Sequence, residues 1–454
     1  MASFPLRTHH TDHPASITTE RRHELDWLRV LIIVGLIPFH VIGVFGAAID
    51  IYISGGQPHP LVTVVETFFG LWPMSLLFLV AGASTWFALG RRTSRQYVRE
   101  RLLRLFIPFL FATLVILPIQ VYAVVAAYPE VLRFNIVPDM NLHGNETFPG
   151  FYLPYLGGYV YFLTHFTSLR EAVFWGHLWF IPRLLLYALA TLPLLLWLRG
   201  ETGGRFIAWV SRLLAAPAGM LLLGLALALP RVLAAAFYRL ALALSPATSW
   251  DGYNLAAQVG VFLVCFLLGY LLYAAPQLLA TAQRIGSLAL GAGIAIFALL
   301  QTPFGRLASV TQFTPGGIGM TCLRSEGEWL LVVGVLAIGL RFLTSGNGVL
   351  TYLNEAAYPL YVLHMPVLIL VGLWMIQRGL PDALALPLIV ALSLALTLSV
   401  YEFAVKRIAF LRLLFGLKPM RDATTANGSD SVDDMRHRPD GQHNRHVTQP
   451  MGQR

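Results

Sequence analysis

Charge is what this sequence has least of. Only 12% of its 454 residues are Asp, Glu, Lys or Arg, against 56% hydrophobic residues, and the mean hydropathy is +0.65. So sparse a charge cannot cover a soluble protein of this length, which leaves lipid as the natural solvent. Cysteine is nearly missing too. Cys265 sits in an apolar stretch and Cys322 in a link, with no CxxC spacing, which excludes a disulfide framework and a thiolate zinc site. The polar first 24 residues lack a short apolar core followed by a small-residue cleavage site, so no removable signal peptide is expected. No internal repeat is visible, which weighs against an inverted-repeat transporter. The net charge of +9 does not imply nucleic acid as a partner, because Arg and Lys collect in the short segments between apolar stretches, where they set topology.

What is present is apolar length. Stretches that reach the roughly 20 residues needed to cross a bilayer fall at residues 27–49, 61–89, 103–127, 173–198, 207–229, 255–273, 285–302, 328–343, 352–376 and 384–410. The expected fold is therefore all-α, a polytopic membrane bundle of about ten transmembrane helices. Arg91, Arg92, Arg95, Arg99, Arg101 and Arg104 crowd the link after the second stretch, which makes that link cytoplasmic. Counting alternately puts Arg199, Arg205, Arg212, Arg284, Arg341, Lys406, Arg407, Arg412, Lys418 and Arg421 on the same side, together with both termini. The other side receives a long loop over residues 128–172 and shorter links over 231–254 and 305–327. The chain divides into a cytoplasmic segment 1–24, a transmembrane domain 25–419 and a polar tail 420–454. The tail is read as disordered and cytoplasmic, its His437, His443 and His446 as inert in preference to chelating a metal.

Ionisable residues at bilayer depth are costly, so each is a functional candidate. Ten residues separate Arg29 from His40 in LDWLRVLIIVGLIPFHV. On a helix that spacing returns to within about 20° of the same face and rises roughly 16 Å. A cation near the cytoplasmic surface and an imidazole near mid-membrane then share one face. The imidazole suits a general base for an attacking hydroxyl, the lesser alternative being a bond to a neighbouring helix carbonyl; Arg29 also fits a topology anchor. In AYPLYVLHMPVLIL, His364 falls at similar depth and can face His40. HLWFIPRLLLY puts His177 near the outer surface and Arg183 deep inside, where a cation needs a carboxylate, carbonyls or water. Glu355 and Glu402 are carboxylates able to pair with an arginine. The run RRTSRQYVRERLLRLFIP forms basic faces if helical, fit for a donor's phosphates, for anionic lipid or for orientation alone. Tyr152, Tyr155, Tyr159 and Tyr161 in the long outer loop suit glycan platforms or interfacial anchors.

Several segments together carry a family resemblance: LDWLR with His40, FLVAGASTWFAL, RLLRLFIP, HLWF at His177, YPLYVLHMP at His364, and YEFAVKR before LLFGLKP. Over residues 25–419 the chain resembles the acyltransferase-3 superfamily of integral membrane acyltransferases. The resemblance implies acyl-CoA as co-substrate reached from the cytoplasm, no permanently bound cofactor or metal, and transfer of an acetyl or succinyl group to a hydroxyl of an extracytoplasmic glycan or other acceptor in the inner membrane. It places the family's arginine and histidine pair on Arg29 and His40. The family's arginine motif goes to Arg101 and Arg104 from their place before Pro108, although its three-residue gap is met by Arg91 with Arg95 and by Arg95 with Arg99. His177, Arg183 and His364 are then expected to line the site. The rival readings are a transporter using the same buried His and Arg, and a scaffold in which His40 is structural.

Overall fold

The computed structural model describes residues 21–43, 60–127, 147–164, 175–244, 250–307 and 314–419. The tail 420–454, most of the segment 1–24, and residues 128–146 and 165–174 of the expected outer loop lie outside them. The described residues fold as helices without a strand: α1 His23–Gly43, α2 Pro60–Leu71, α3 Pro73–Arg91, α4 Ser94–Ala127, α5 Phe148–Thr164, α6 Phe180–Ala190, α7 Leu192–Arg199, α8 Glu201–Leu214, α9 Pro217–Leu244, α10 Trp250–Ala274, α11 Pro276–Gln301, α12 Pro303–Leu307, α13 Pro315–Phe342, α14 Gly348–Ile376, α15 Asp382–Val400 and α16 Ala409–Leu414. Eight are long and apolar enough to cross a membrane, nine when the bent run formed by Gly176–Ala190 with α7 counts as one span. The 28-residue α13 is long enough to be a tenth, but Arg324, Glu326, Glu328 and Arg341 make it more polar than the rest.

Close helix packing rests on small residues, as lipid-immersed bundles require. Where α3 crosses α10, a Cβ on Gly82 would meet the Phe266 carbonyl oxygen at 1.8 Å, and one on Gly269 the Leu79 carbonyl oxygen at 1.9 Å. Antiparallel α11 and α13 meet in the same way at Gly286, Gly293, Gly327 and Gly334. Prolines shape α4. It contains two π turns, Leu102–Phe106 and Ala112–Ile116, each ending two residues before a proline, Pro108 and Pro118. A proline offers no N–H to the preceding turn. The carbonyls of Thr113 and Leu114 accept instead from the hydroxyls of Tyr155 at 2.8 Å and Tyr152 at 3.0 Å.

Five expectations need correction. The stretch 207–229 is not one span: Pro217 holds Ala216 in extended backbone, separating the surface helix α8, with Glu201, Arg205 and exposed Trp209 and Leu213, from the long α9. The link 231–254 is helical to Leu244, and the link 305–327 is mostly the start of α13. The last stretch ends as a π turn at Val405, after which α16 starts at Ala409. The outer loop contains α5, and Tyr152 and Tyr155 serve the freed carbonyls of α4 and offer no open platform.

Candidate active site

Helices α1 and α14 run parallel, because two pairs at different heights join them. Near their starts, Arg29 donates to Asp26 at 2.7 Å and to Asn354. Eleven residues on from Arg29 and ten from Asn354, the rings of His40 and His364 stack with centroids 5.4 Å apart. A third imidazole joins them. Gly176, at φ 46°, turns the chain into the short 3₁₀ segment Gly176–Trp179, and His177 on it stands edge-on to His364 at 5.3 Å. The sequence reading put His177 near the outer surface; packing draws it into the cluster, because Pro366 has no N–H for the Val362 carbonyl four residues earlier. That carbonyl takes a bond from His177 Nε2 at 3.1 Å.

These bonds assign the tautomers, since a carbonyl only accepts. The protons of neutral His177 and His364 sit on Nε2 and Nδ1, the latter donating to Tyr361 O at 2.7 Å. Lone pairs remain on His177 Nδ1 and His364 Nε2. Both nitrogens, and His40 Nδ1, are buried without a hydrogen-bond partner among the described residues. Among those residues no group of three or more His, Cys, Asp or Glu is placed to hold a metal ion. What the cluster can do is take up and pass on a proton.

On one side of the cluster lies a cavity of about 610 Å³. Arg21, Arg29, Arg101, Arg104, Arg412 and Lys418 line its mouth, and Leu77, Val80, Ala81, Phe180, Tyr358 and Tyr361 line its neck. The first π turn of α4 carries Arg104, which pairs with Glu100 at 3.1 Å. Arg101 precedes that turn, bonding Thr85 at 3.3 Å and lying over the Tyr97 ring at 4.8 Å. Buried Arg412 ties three segments together, reaching Glu355 at 2.8 Å, Lys418 O at 2.9 Å and Lys406 O at 3.1 Å. His40 does not line this cavity. Tyr361 and Phe180, 5.9 Å apart, close its inner end; the Tyr361 ring is 5.9 Å from His364, and its hydroxyl donates to His177 O.

A second cavity, of about 340 Å³, lies on the other side, lined by Gly70, Met74, Trp179, Asn254, Gln258, Thr321, Arg231, Arg324 and Glu328. Trp179 belongs to the same 3₁₀ segment as His177, and Gly70 packs beside Phe39, the ring next to His40. Glu328 is buried, bonded to Ser75 and to Arg231 at 2.6 Å, while Arg231 also reaches Ser325 at 2.6 Å. Arg183 lines neither cavity. It is buried with its guanidinium 4.5 Å over Trp179 and 3.3 Å from the Gln258 amide oxygen. The cation thus rests on a ring face and an amide, without a carboxylate among the described residues, and supports the wall of the second cavity.

A family model described as an acyltransferase domain, of the acyltransferase-3 family, matches residues 22–402. The chain belongs to this family. It is a membrane acyltransferase, of the kind that transfers groups other than aminoacyl groups. The curated relatives it is similar to include proteins named glucans biosynthesis protein C from Salmonella paratyphi B, Salmonella heidelberg and Salmonella schwarzengrund. Each is 24% identical over 412 residues, covering 89% of this chain and 97% of the relative. No solved structure matches. In this acyltransferase the predicted residues divide in three: His40, His177 and His364 form one cluster, Arg29, Arg101 and Arg104 share one cavity, and Arg183 stands apart. Sequence reasoning passed over the Arg231–Glu328 pair, because it placed Arg231 in a link and Glu328 at the tip of a span. It also passed over Arg412, read as topology. A carboxylate opening one apolar stretch and an arginine closing another were the available signals.

Proposed function

We propose that this acyltransferase takes an acetyl or succinyl group from acyl-CoA in the basic cavity and delivers it, beside His40, to a hydroxyl of a glycan entering from the opposite cavity. The observation that carries the reading is the placement of three imidazoles with free lone pairs between a cationic cavity and one that mixes amides, a hydroxyl and a tryptophan with Arg231, Arg324 and Glu328. Guanidinium forks recognise phosphate oxygens by paired hydrogen bonds, which suits the nucleotide end of acyl-CoA at Arg29, Arg101 and Arg104. The apolar neck suits its pantetheine arm, with the thioester at Tyr361. Amides, a hydroxyl and a tryptophan edge suit a sugar in the second cavity, and the glucan named in its relatives supports that class.

In this mechanism His40 takes the proton from the acceptor hydroxyl as the oxygen attacks the thioester carbonyl. The C–S bond breaks, and the proton passes from the imidazolium to the departing thiolate. His364 and His177 hold His40 in place, and Tyr361 must turn aside for the acyl group to reach it. Acyl-CoA is a co-substrate, with no resident cofactor, and nucleic acid has no part. The positive-inside bias supports the inner membrane, with the basic end and both termini in the cytoplasm. Mass spectrometry of cell-envelope glycans tests the reading. Acyl mass increments present in the parent strain are expected to vanish in a deletion strain and in one carrying His40→Ala. Increments that persist in the deletion strain overturn it.

A further inference from the structure

At the basic end, a groove of about 290 Å³ opens between the start of α4 and the chain that follows α16. Its cations are Arg99, Arg104 and Lys418. Its one carboxylate, Glu100, is shared between Arg92 at 2.9 Å and Arg104 at 3.1 Å. The guanidinium of Arg99 and the ammonium of Lys418 are exposed, with no side-chain hydrogen bond or ion pair among the described residues. The groove therefore holds an excess of positive charge that the described residues do not neutralise.

Its apolar side decides what it suits. Leu103, Leu413 and Leu417 share the lining, and beyond them the surface stays apolar and bare. Leu102, Phe106 and Leu110 follow one another at four-residue steps along α4, and Phe410 lies one turn before Leu413 on α16, 67% exposed. A soluble phosphate gains nothing from such a surface. An anionic phospholipid matches both parts, with its phosphate among the cations at the level where α4 leaves the bilayer and its acyl chains along the leucine and phenylalanine stripe. We infer that this groove binds the phosphodiester headgroup of an anionic phospholipid.

The site shares a wall with the basic cavity. Arg104, Gly416, Leu417 and Lys418 face both. Gly416 adopts φ 66°, which favours glycine, and a Cβ there would come within 2.9 Å of the Arg104 carbonyl oxygen. The turn after α16 thus lies directly against the π turn that carries Arg104. A lipid in the groove holds that wall in place, whatever the basic cavity contains.

Native mass spectrometry of the full chain, released from nanodiscs of phosphatidylcholine containing a minor share of phosphatidylglycerol, tests this. The wild type is expected to retain phosphatidylglycerol in preference to phosphatidylcholine. Arg99→Gln should lower that retention about five-fold, and Arg99→Gln with Lys418→Gln about twenty-five-fold, with the unfolding temperature in lipid-free detergent unchanged. Soluble glycerol phosphate should not displace the lipid. Equal retention of the two lipids, unaltered retention by the double variant, or displacement by glycerol phosphate overturns the inference.

Discussion

Replacing His40 by alanine is expected to lower kcat for acyl transfer by about 10²–10⁴-fold, the range for loss of a positioned general base. Affinity for acyl-CoA should be nearly unchanged, since His40 does not line the basic cavity. The ring also packs against Phe39 at 5.1 Å and His364 at 5.4 Å, so a drop in rate alone does not identify its role. His40→Gln keeps a polar group of similar reach but no basic nitrogen, and it should be as inactive as the alanine variant. Steady-state kinetics of both, beside their unfolding temperatures in detergent, separate the two roles. A glutamine variant that restores the rate would make His40 a packing residue.

Arg29→Ala should raise KM for acyl-CoA about 10-fold to 100-fold, the loss of one or two charge-assisted hydrogen bonds. Asp26 and Asn354 fix the guanidinium, so the fork is oriented before any donor arrives. Arg29→Lys keeps the charge and loses the fork, and should recover only part of the affinity. The dependence on salt adds a second readout. Screening weakens exposed charge pairs, so wild-type KM should climb with ionic strength more steeply than that of the alanine variant. A KM that does not move would leave Arg29 as a link between α1 and α14 only.

Much of this arrangement was legible before any contact was known. Apolar length set the class of fold, and an eleven-residue step on one helix placed Arg29 and His40 on one face; His364 was also expected opposite His40. The failures share a cause. Whether 207–229 crosses a bilayer depends on Pro217 and on a polar face that total hydropathy averages away. His177 reaches the cluster because a carbonyl 185 residues on is released by Pro366, a pairing between distant segments that periodicity does not encode. Arg183 shows the same limit in part: Trp179 lies one turn before it, but its amide partner Gln258 comes from α10, 75 residues on. Pro118, which local reading treats only as a bend, is why Tyr152 and Tyr155 turn inward to α4.

The most direct measurement uses sealed proteoliposomes in which acyl-labelled acyl-CoA and the glycan acceptor are kept on opposite sides of the membrane. With CoA at the basic end, free CoA should appear on the donor side, labelled glycan on the other, in equal amounts, and neither with His40→Ala. Label reaching the glycan only when both substrates share one side, or glycan crossing the membrane with no CoA released, would contradict transfer through the histidine cluster.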